Sequence, residues 1–537
     1  MNWARSGDAP QPRRWWSPWR IVGLVFVGVF LAGIGRFHDH TTGFTSLISI
    51  GDKLGDGKMA ALKAVPHYVY EDSYGYDGAY YVQIALDPLL TGSELQTSVD
   101  NLPYRAKRIL LSWTAWLLGG GQPFWIVHLY PLLNVACWLI LAWLLWRWFP
   151  PDSADNFLRW GGVLFSHGMC MSVRHSLVDG PSLLLVAGSV ALIEAGRRNA
   201  GTALLALATL GKETSVLALP ALFRRPASGG RPWLELAARA ALVVAPLAAW
   251  VLYIRLRLPP SIEGVGLNNF TLPLTGFFEK WIGLLGEFGR DGWIRPLWIT
   301  LAAVTALTVQ AAFVLTRWQP ASIWWRVGAP FALLFVMVGV PVWEGYPGAF
   351  TRVVLPLTLA FNVLVPRGRR WLPLLLAGNL SVVAGLAELA PPLRDFYRLA
   401  GERRDVAAVT VERGDGWYQI ESDGTNSWRW SRQQAVLRLT NRSARPLEVR
   451  MSAEIGALSN RHMEFRVNGQ ATFAAPVPRR SQRHEFPAFL LPPGTTRVEF
   501  ATDQPAARPV SGDPRELSLS VGNVVIAVAP PGGAGKP

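Results

Sequence analysis

The sequence predicts a polytopic α-helical membrane protein, about eleven helices, carrying a C-terminal extracytoplasmic β-sandwich domain. Three observations lead there. Of 537 residues, 50% are hydrophobic and only 17% are charged. Long apolar runs recur between residues 19 and 389, many near the length of about 20 residues that a helix needs to cross a bilayer. After residue 401 these runs stop, and short alternating segments separated by turn residues take over. A purely soluble enzyme could not hide so many apolar runs, and the composition excludes a disordered or fibrous chain.

The basic N-terminus, with Arg5, Arg13, Arg14 and Arg20, precedes a first apolar run at 21–35. No small-residue cleavage site follows it cleanly, so it reads as a retained helix entering from the cytoplasm. Further helices are expected at 122–149, 157–173, 181–195, 233–256, 293–315, 327–342, 349–365 and 371–389. The run at 202–223 is interrupted by Gly211-Lys212-Glu213-Thr214. One helix with two charges at its centre would cost about 2.5–3.5 kcal/mol per charge. A hairpin of two short helices is cheaper and places Lys212 and Glu213 at the outer face. Arg197-Arg198, Arg224-Arg225 and the Pro366-Arg367-Gly368-Arg369-Arg370 turn then lie inside, as the positive-inside tendency asks. Eleven crossings from an inside start leave the C-terminus outside.

The expected domains are a cytoplasmic tail at 1–18 and a multi-spanning domain at 19–395 with a long outer loop at 36–108. A second outer loop covers 259–292. A β-sandwich follows at 401–529, with a disordered tail at 530–537. Turn signals at Asn468-Gly469, Pro492-Pro493-Gly494 and Asp513-Pro514 separate the sandwich strands. The expected location is a bacterial inner membrane.

The net charge of +15 does not make this a nucleic-acid binder. Only seven of the 52 basic residues are lysines, and many arginines stand at the ends of apolar runs. Membrane lipids are the expected partners. Cys137 and Cys170 both fall in apolar runs, so no disulfide framework or thiolate zinc site follows. The sequence has no phosphate-cradling glycine loop, no dinucleotide fingerprint and no serine nucleophile elbow.

The most informative run is Tyr74-Gly75-Tyr76-Asp77-Gly78-Ala79-Tyr80-Tyr81-Val82-Gln83-Ile84-Ala85-Leu86-Asp87-Pro88. Residues 78–86 suit a short helix ended by Pro88, with Asp77 just before it at the positive end of the helix dipole. Asp77 reads either as an N-cap in a tyrosine-flanked turn or as a general base for an acceptor hydroxyl. Asp87 reads as a turn residue. Tyr104-Arg105-Ala106-Lys107-Arg108 places three cations at an outer face, against the usual charge bias. They suit either lipid headgroups or the phosphate of a lipid carrier. Arg174, His175, Asp179, Lys212, Glu213, Glu344 and Arg352 fall at the same face. No metal motif is present; His175 reads first as a structural histidine. In the C-terminal part, Trp417, Tyr418, Trp428 and Trp430 suit a sandwich core or a sugar-stacking surface, and the domain equally suits a lid over the membrane site.

The run from Tyr76 to Pro88, with Tyr104-Arg105 and Arg108-Ile109-Leu110, resembles the GT-C class of integral membrane glycosyltransferases. Within that class it is similar to a bacterial subgroup implicated in cell-surface glycopolymer formation. Gly211-Lys212-Glu213-Thr214 resembles a charged break in related multi-spanning transferases. The resemblance covers about residues 15–390. It implies transfer of a sugar from a polyprenyl-phosphate donor to a glycan or lipid acceptor on the extracytoplasmic side. It makes Asp77 the catalytic base and Arg105, Arg108 and Lys212 phosphate-binding candidates. Arg174 joins these as a further outer-face cation, with Tyr76, Tyr81, His175 and Glu213 in support. Many class members carry two adjacent acids in this loop. Here Gly78 follows Asp77, so the sequence does not support a divalent metal, and no cofactor is expected. The competing readings are a transporter or flippase of lipid-linked sugars and a non-catalytic assembly partner in polysaccharide export.

Overall fold

The computed structural model describes residues 17–532, apart from 40, 55–56, 224–231, 260–268, 292–294, 346–347, 393–394, 424–425 and 510–512. The tail up to residue 16, Arg224-Arg225 and residues 533–537 lie outside the described residues. The chain divides into two compact units. One comprises Met1–Arg36, Leu47–Leu62 and Ser73–Ala390; the other comprises Phe37–Ser46, Lys63–Asp72 and Pro391–Pro537.

The first unit is helical. Its opening helix, Pro18–Gly35, starts where sequence chemistry allows: Ser17 Oγ accepts the Trp19 N–H at 3.3 Å, and proline occupies the first turn. Among the described residues, four helices are long and apolar enough to cross a membrane: Pro18–Gly35, Pro123–Leu145, Trp233–Arg257 and Pro296–Thr316. A fifth arises if Arg369–Gly378 and Ser381–Glu388, bent by 43°, count as one span. Their outward faces are apolar; Leu24, Val29, Leu252 and Val383 are all more than half exposed. Water would not tolerate such a belt, whereas lipid does.

The count falls short of the expected eleven because several apolar runs break. The 157–173 run becomes Ala154–Leu164 and His167–Arg174. The 349–365 run becomes Ala349–Val353 and Leu355–Leu364, with Pro356 in the first turn of the second piece. Breaks free backbone groups, and polar side chains inside the unit satisfy them. Gln310 Nε2 donates to Gly378 O (2.6 Å), at the bend of the last pair. Arg159, 2% exposed, donates to the carbonyls of Asn362 and Val365, both at 2.7 Å.

The 202–223 run folds as Arg198–Gly211 and Glu213–Leu222, joined by extended backbone at Lys212. Arg198 Nη2 donates to Leu222 O at 2.6 Å, so the two ends meet and the element is a hairpin. The expected second outer loop contains a 17-residue helix, Thr275–Asp291. Its charges at Glu279, Lys280, Glu287 and Arg290 mask its amphipathic period in an apolar-run reading.

In the part of the second unit from Pro391 on, the described residues form twelve strands: β1 (Tyr397–Gly401), β2 (Val409–Arg413), β3 (Trp417–Ser422), β4 (Ser427–Ser431), β5 (Gln434–Asn441), β6 (Leu447–Ala457), β7 (Arg461–Val467), β8 (Gln470–Val477), β9 (Gln482–Glu485), β10 (Phe489–Leu491), β11 (Gly494–Thr502) and β12 (Leu519–Ala529). One sheet has the order β8-β7-β11-β5-β2. The other has the order β9-β6-β12-β4-β3, with β10 beside β6 and β1 parallel to β12. Alternate residues of both sheets, including Leu437, Phe465, Phe500, Met451, Ile455, Val521 and Ile526, form one buried core. Glu71, from the outer-loop stretch in this unit, is shared by Arg413 and Arg429.

Candidate active site

The candidate site grows from the helix Asp77–Leu86. Tyr76, in extended conformation, is its N-cap, and Asp77 is its first helical residue. This differs from an N-capping aspartate: the Asp77 side chain makes no cap bond and turns instead to Arg105. The approach to the helix is tight. Tyr76 N–H donates to Ser49 O at 2.8 Å. A Cβ at Gly78 would stand 2.3 Å from His175 O and 2.7 Å from Ile48 O. Only glycine fits there, which explains physically why no second acid follows Asp77. Gln83 locks the helix from behind, donating to Ser98 O (3.0 Å) and accepting from Met59 N–H (2.8 Å). Asp87 is a turn residue, holding Thr91 Oγ1 at 2.9 Å and Gly92 N–H at 2.7 Å.

Arg105 Nη1 lies 2.8 Å from Asp77 Oδ1, and the same guanidinium forks onto Asp100 at 3.0 and 2.9 Å. Its plane stands 5.0 Å from the Tyr80 ring. Among the described residues, Asp77 Oδ2 takes no hydrogen bond. Asp77 therefore has one oxygen held by a cation and one free, with 19% of its side chain exposed. A carboxylate so placed can accept a proton from an incoming hydroxyl.

Two further ionic groups stand close by. Arg108 donates to Glu213 at 2.9 and 2.6 Å, to Tyr81 Oη at 2.9 Å and to Tyr104 Oη at 2.8 Å. Asp179, at the start of the helix Asp179–Glu194, is gripped by Lys212 and, at 3.0 Å, by Arg352. Arg352 also donates to the Tyr76 hydroxyl, the neighbour of Asp77. Burial, offset in part by the Arg352 charge, raises the pKa of Tyr76 and keeps its hydroxyl protonated. Below the Asp179 group is a small pocket lined also by Ser182, Thr214, Ser215 and Phe331. Ser182 Oγ and Arg352 Nε are buried there without a hydrogen-bond partner among the described residues.

The structure thus brings Asp77, Tyr76, Tyr81, Arg105, Arg108, Lys212 and Glu213 into three linked clusters. His175 stacks edge-on against Tyr76 at 5.4 Å between ring centres, and its Nδ1 is 2.7 Å from Ser49 Oγ. Arg174, 8% exposed, ends the helix His167–Arg174 beside it. Arg105, Arg108 and Lys212 are each held by a carboxylate rather than standing ready as bare cations. Asp100 and Asp179 supply two of those carboxylates and Arg352 completes the set. Their signal in the sequence was weak: an acid five residues before Arg105, and two ionisable groups at outer turns. Among the described residues, no group of three His, Cys, Asp or Glu side chains is placed to hold a metal ion.

No protein-family model matches this chain. No curated protein matches it either. Some solved structures are similar to it in part. The arabinosyltransferase EmbB from Mycobacterium smegmatis aligns over 96% of this chain and 66% of its own, at 12% identity and a TM-score of 0.26. A family 35 carbohydrate-binding module from an environmental isolate aligns over 24% of this chain and 98% of its own, at 14% identity and a TM-score of 0.16. A ruminal GH26 endo-β-1,4-mannanase aligns at 14% identity and a TM-score of 0.14; the chain spans 20% of its length. Scores this low carry no argument about function, and the functional reading rests on the site.

Proposed function

We propose that this protein is a membrane glycosyltransferase. It transfers a sugar from a polyprenyl-phosphate donor to a glycan or lipid acceptor at the extracytoplasmic face of a bacterial inner membrane, with inversion at the anomeric carbon. The carrying observation is Asp77: one carboxylate oxygen is anchored by Arg105, the other is free, and cations cluster around it. In this reading Asp77 takes the proton of the acceptor hydroxyl as its oxygen attacks the anomeric carbon. The bond from that carbon to the phosphate oxygen breaks, and the polyprenyl phosphate leaves with the bonding pair. Lys212 and Arg352 share one carboxylate, so this trio carries a net charge of about +1 with donors to spare. Together with the unpaired Ser182 hydroxyl and Arg352 Nε, it suits an anionic oxygen. Arg105 and Arg108, oriented by their acids, line the approach.

The test is a strain whose sole copy carries Asp77→Asn, with membrane protein level checked alongside. Asn keeps the size and the contact to Arg105 but cannot act as a base. Loss of general-base catalysis lowers turnover by about 10²–10⁴-fold, so surface glycan should vanish at normal protein level. Undiminished glycan would overturn the base assignment and leave a transporter of lipid-linked sugars as the better account.

A further inference from the structure

The four aromatics singled out near the start of the β unit have different fates. Trp417 packs into the core, 5.0 Å from the Phe396 ring and 5.8 Å from Phe500, with its indole N–H on Val436 O at 2.7 Å. Tyr418 is tied to Glu516 O at 2.9 Å and flanked by Arg432 and Arg515. Trp428 and Trp430 have neither fate. They alternate along β4 with Arg429 and Ser431, both buried, so the tryptophans point away from the core. Both are half-buried. Among the described residues, neither indole N–H has a hydrogen-bond partner and neither ring stacks on another aromatic. Two rings in that condition on one sheet face are unusual, because an indole N–H that leaves water normally finds an acceptor.

The surface beside them is low and polar. In register across the sheet, Ser520 of β12 lies opposite Trp430 and Gly522 opposite Trp428. One strand further, Glu454 of β6 lies opposite Gly522, while Gly456, opposite Ser520, is buried under Ser481, whose backbone would stand 3.2 Å from a Cβ there and closes that side. A Cβ at Gly522 would stand 3.0 Å from Trp428 Cβ and 2.9 Å from Ser427 O, so the glycine lets the tryptophan strand lie this close. Glycine inside a strand weakens it and commonly marks such an approach. Directly after it the register shifts, and Asn523 takes a left-handed conformation with φ of 46°. This bulge aims the Asn523 amide nitrogen at Glu454 (3.0 Å) and at Asn426 Oδ1 (3.3 Å), leaving its carbonyl oxygen outward. The result is a shallow trough: an aromatic wall of two rings about 7 Å apart along the strand, a narrow floor of Ser520 and Gly522 closed on one side by Ser481, and a carboxylate and an amide beyond.

We propose that this sheet face is a binding site for a neutral glycan chain, separate from the Asp77 site. Sugar rings present C–H faces that stack on the indoles, and hydroxyls that pair with Ser520, Asn523, Glu454 and the free indole N–H groups. Other occupants fit worse. An apolar helix or lipid tail would bury the Glu454 carboxylate with no partner beyond the Asn523 amide it already accepts from, a cost of about 1–3 kcal/mol. A nucleic-acid backbone would meet the Glu454 carboxylate.

The experiment uses the full chain in nanodiscs, free of sugar-headed detergent. It is applied to an array of linear glycans covering hexose, pentose and amino-sugar homopolymers, and the strongest binder is titrated as its free hexasaccharide. Three chains are compared: unaltered, Trp428→Ala/Trp430→Ala, and Ser520→Arg. The last keeps both rings and raises the floor. Binding is expected for the unaltered chain and weaker by about tenfold or more in both variants, with unchanged thermal unfolding. The absence of any binder on the array would overturn the proposal. So would equal binding by all three chains, or loss of binding only in a variant that no longer folds.

Discussion

Replacing Asp179 by asparagine tests the ionic core of the site. The Asp179 side chain is 3% exposed, and its partners Lys212 and Arg352 are 7% and 8% exposed. The trio carries one negative and two positive charges. At an effective dielectric of about 20, the contact between Asp179 and Arg352 at 3.0 Å is worth roughly 5 kcal/mol before desolvation. Breaking a buried pair by removing one partner costs about 3–5 kcal/mol net. Asp179→Asn leaves two buried cations facing each other, so it belongs at or above the top of that range. Lys212→Met leaves a neutral pair, Asp179 with Arg352, and keeps the length of the side chain. Its cost should be smaller, about 1–2 kcal/mol. The double variant should regain part of the loss, since it leaves one cation rather than two. Thermal unfolding of the purified chain in nanodiscs reads this order directly. If Lys212→Met melts at or below the temperature of Asp179→Asn, the charge balance drawn here is wrong.

Other expectations follow from single contacts. Gly78→Ala should destabilise the chain by about 1–3 kcal/mol and abolish activity, because its methyl would meet two backbone oxygens; a fully active, wild-type-stable variant would contradict the geometry. Glu71→Gln should loosen the 63–72 stretch by about 1–3 kcal/mol, since Arg413 and the buried Arg429 lose their shared carboxylate; amide hydrogen exchange in that stretch should rise roughly tenfold or more. Burial, opposed by the Phe396 N–H and aided by the Asp39 charge, pushes the Asp395 carboxyl up to about 7. Its unfolded value is about 3.9, so the folded state binds the proton more tightly and local stability falls as pH rises from about 4 to about 7. Exchange protection at β1, corrected for intrinsic rate, should drop across that window and become flat in Asp395→Asn.

Much of this was legible because chemistry is local. Pro88 ends the helix after Leu86, and the Asn468-Gly469 turn joins β7 to β8, as their residue types require. Lys212 breaks a helix because a charge there is costly, and the hairpin follows. What escaped the sequence depends on distance in the chain. Arg352 reaches Tyr76 and Asp179 from 276 and 173 residues away, and periodicity says nothing about such meetings. The break at Val354 and the bend at 379–380 were also hidden. An apolar run looks continuous whether or not a distant Gln310 is waiting for the carbonyl it frees. Residues 63–72 belong to the β unit, and Glu71 ties them there to two arginines more than 300 residues on.

One short helix has a consequence for the surrounding lipid. The hairpin arm Arg198–Gly211, with Leu207 45% exposed, has 14 residues and rises about 21 Å. A typical hydrocarbon layer is about 30 Å thick. Acyl chains beside this arm must shorten, tilt or admit water to match it, at a fraction of a kcal/mol per ångström. A bilayer is therefore expected to thin beside this arm. A phosphate headgroup drawn toward such a patch has less oil to displace before it meets the cations. Activity in bilayers of graded chain length should accordingly peak at the shorter lipids.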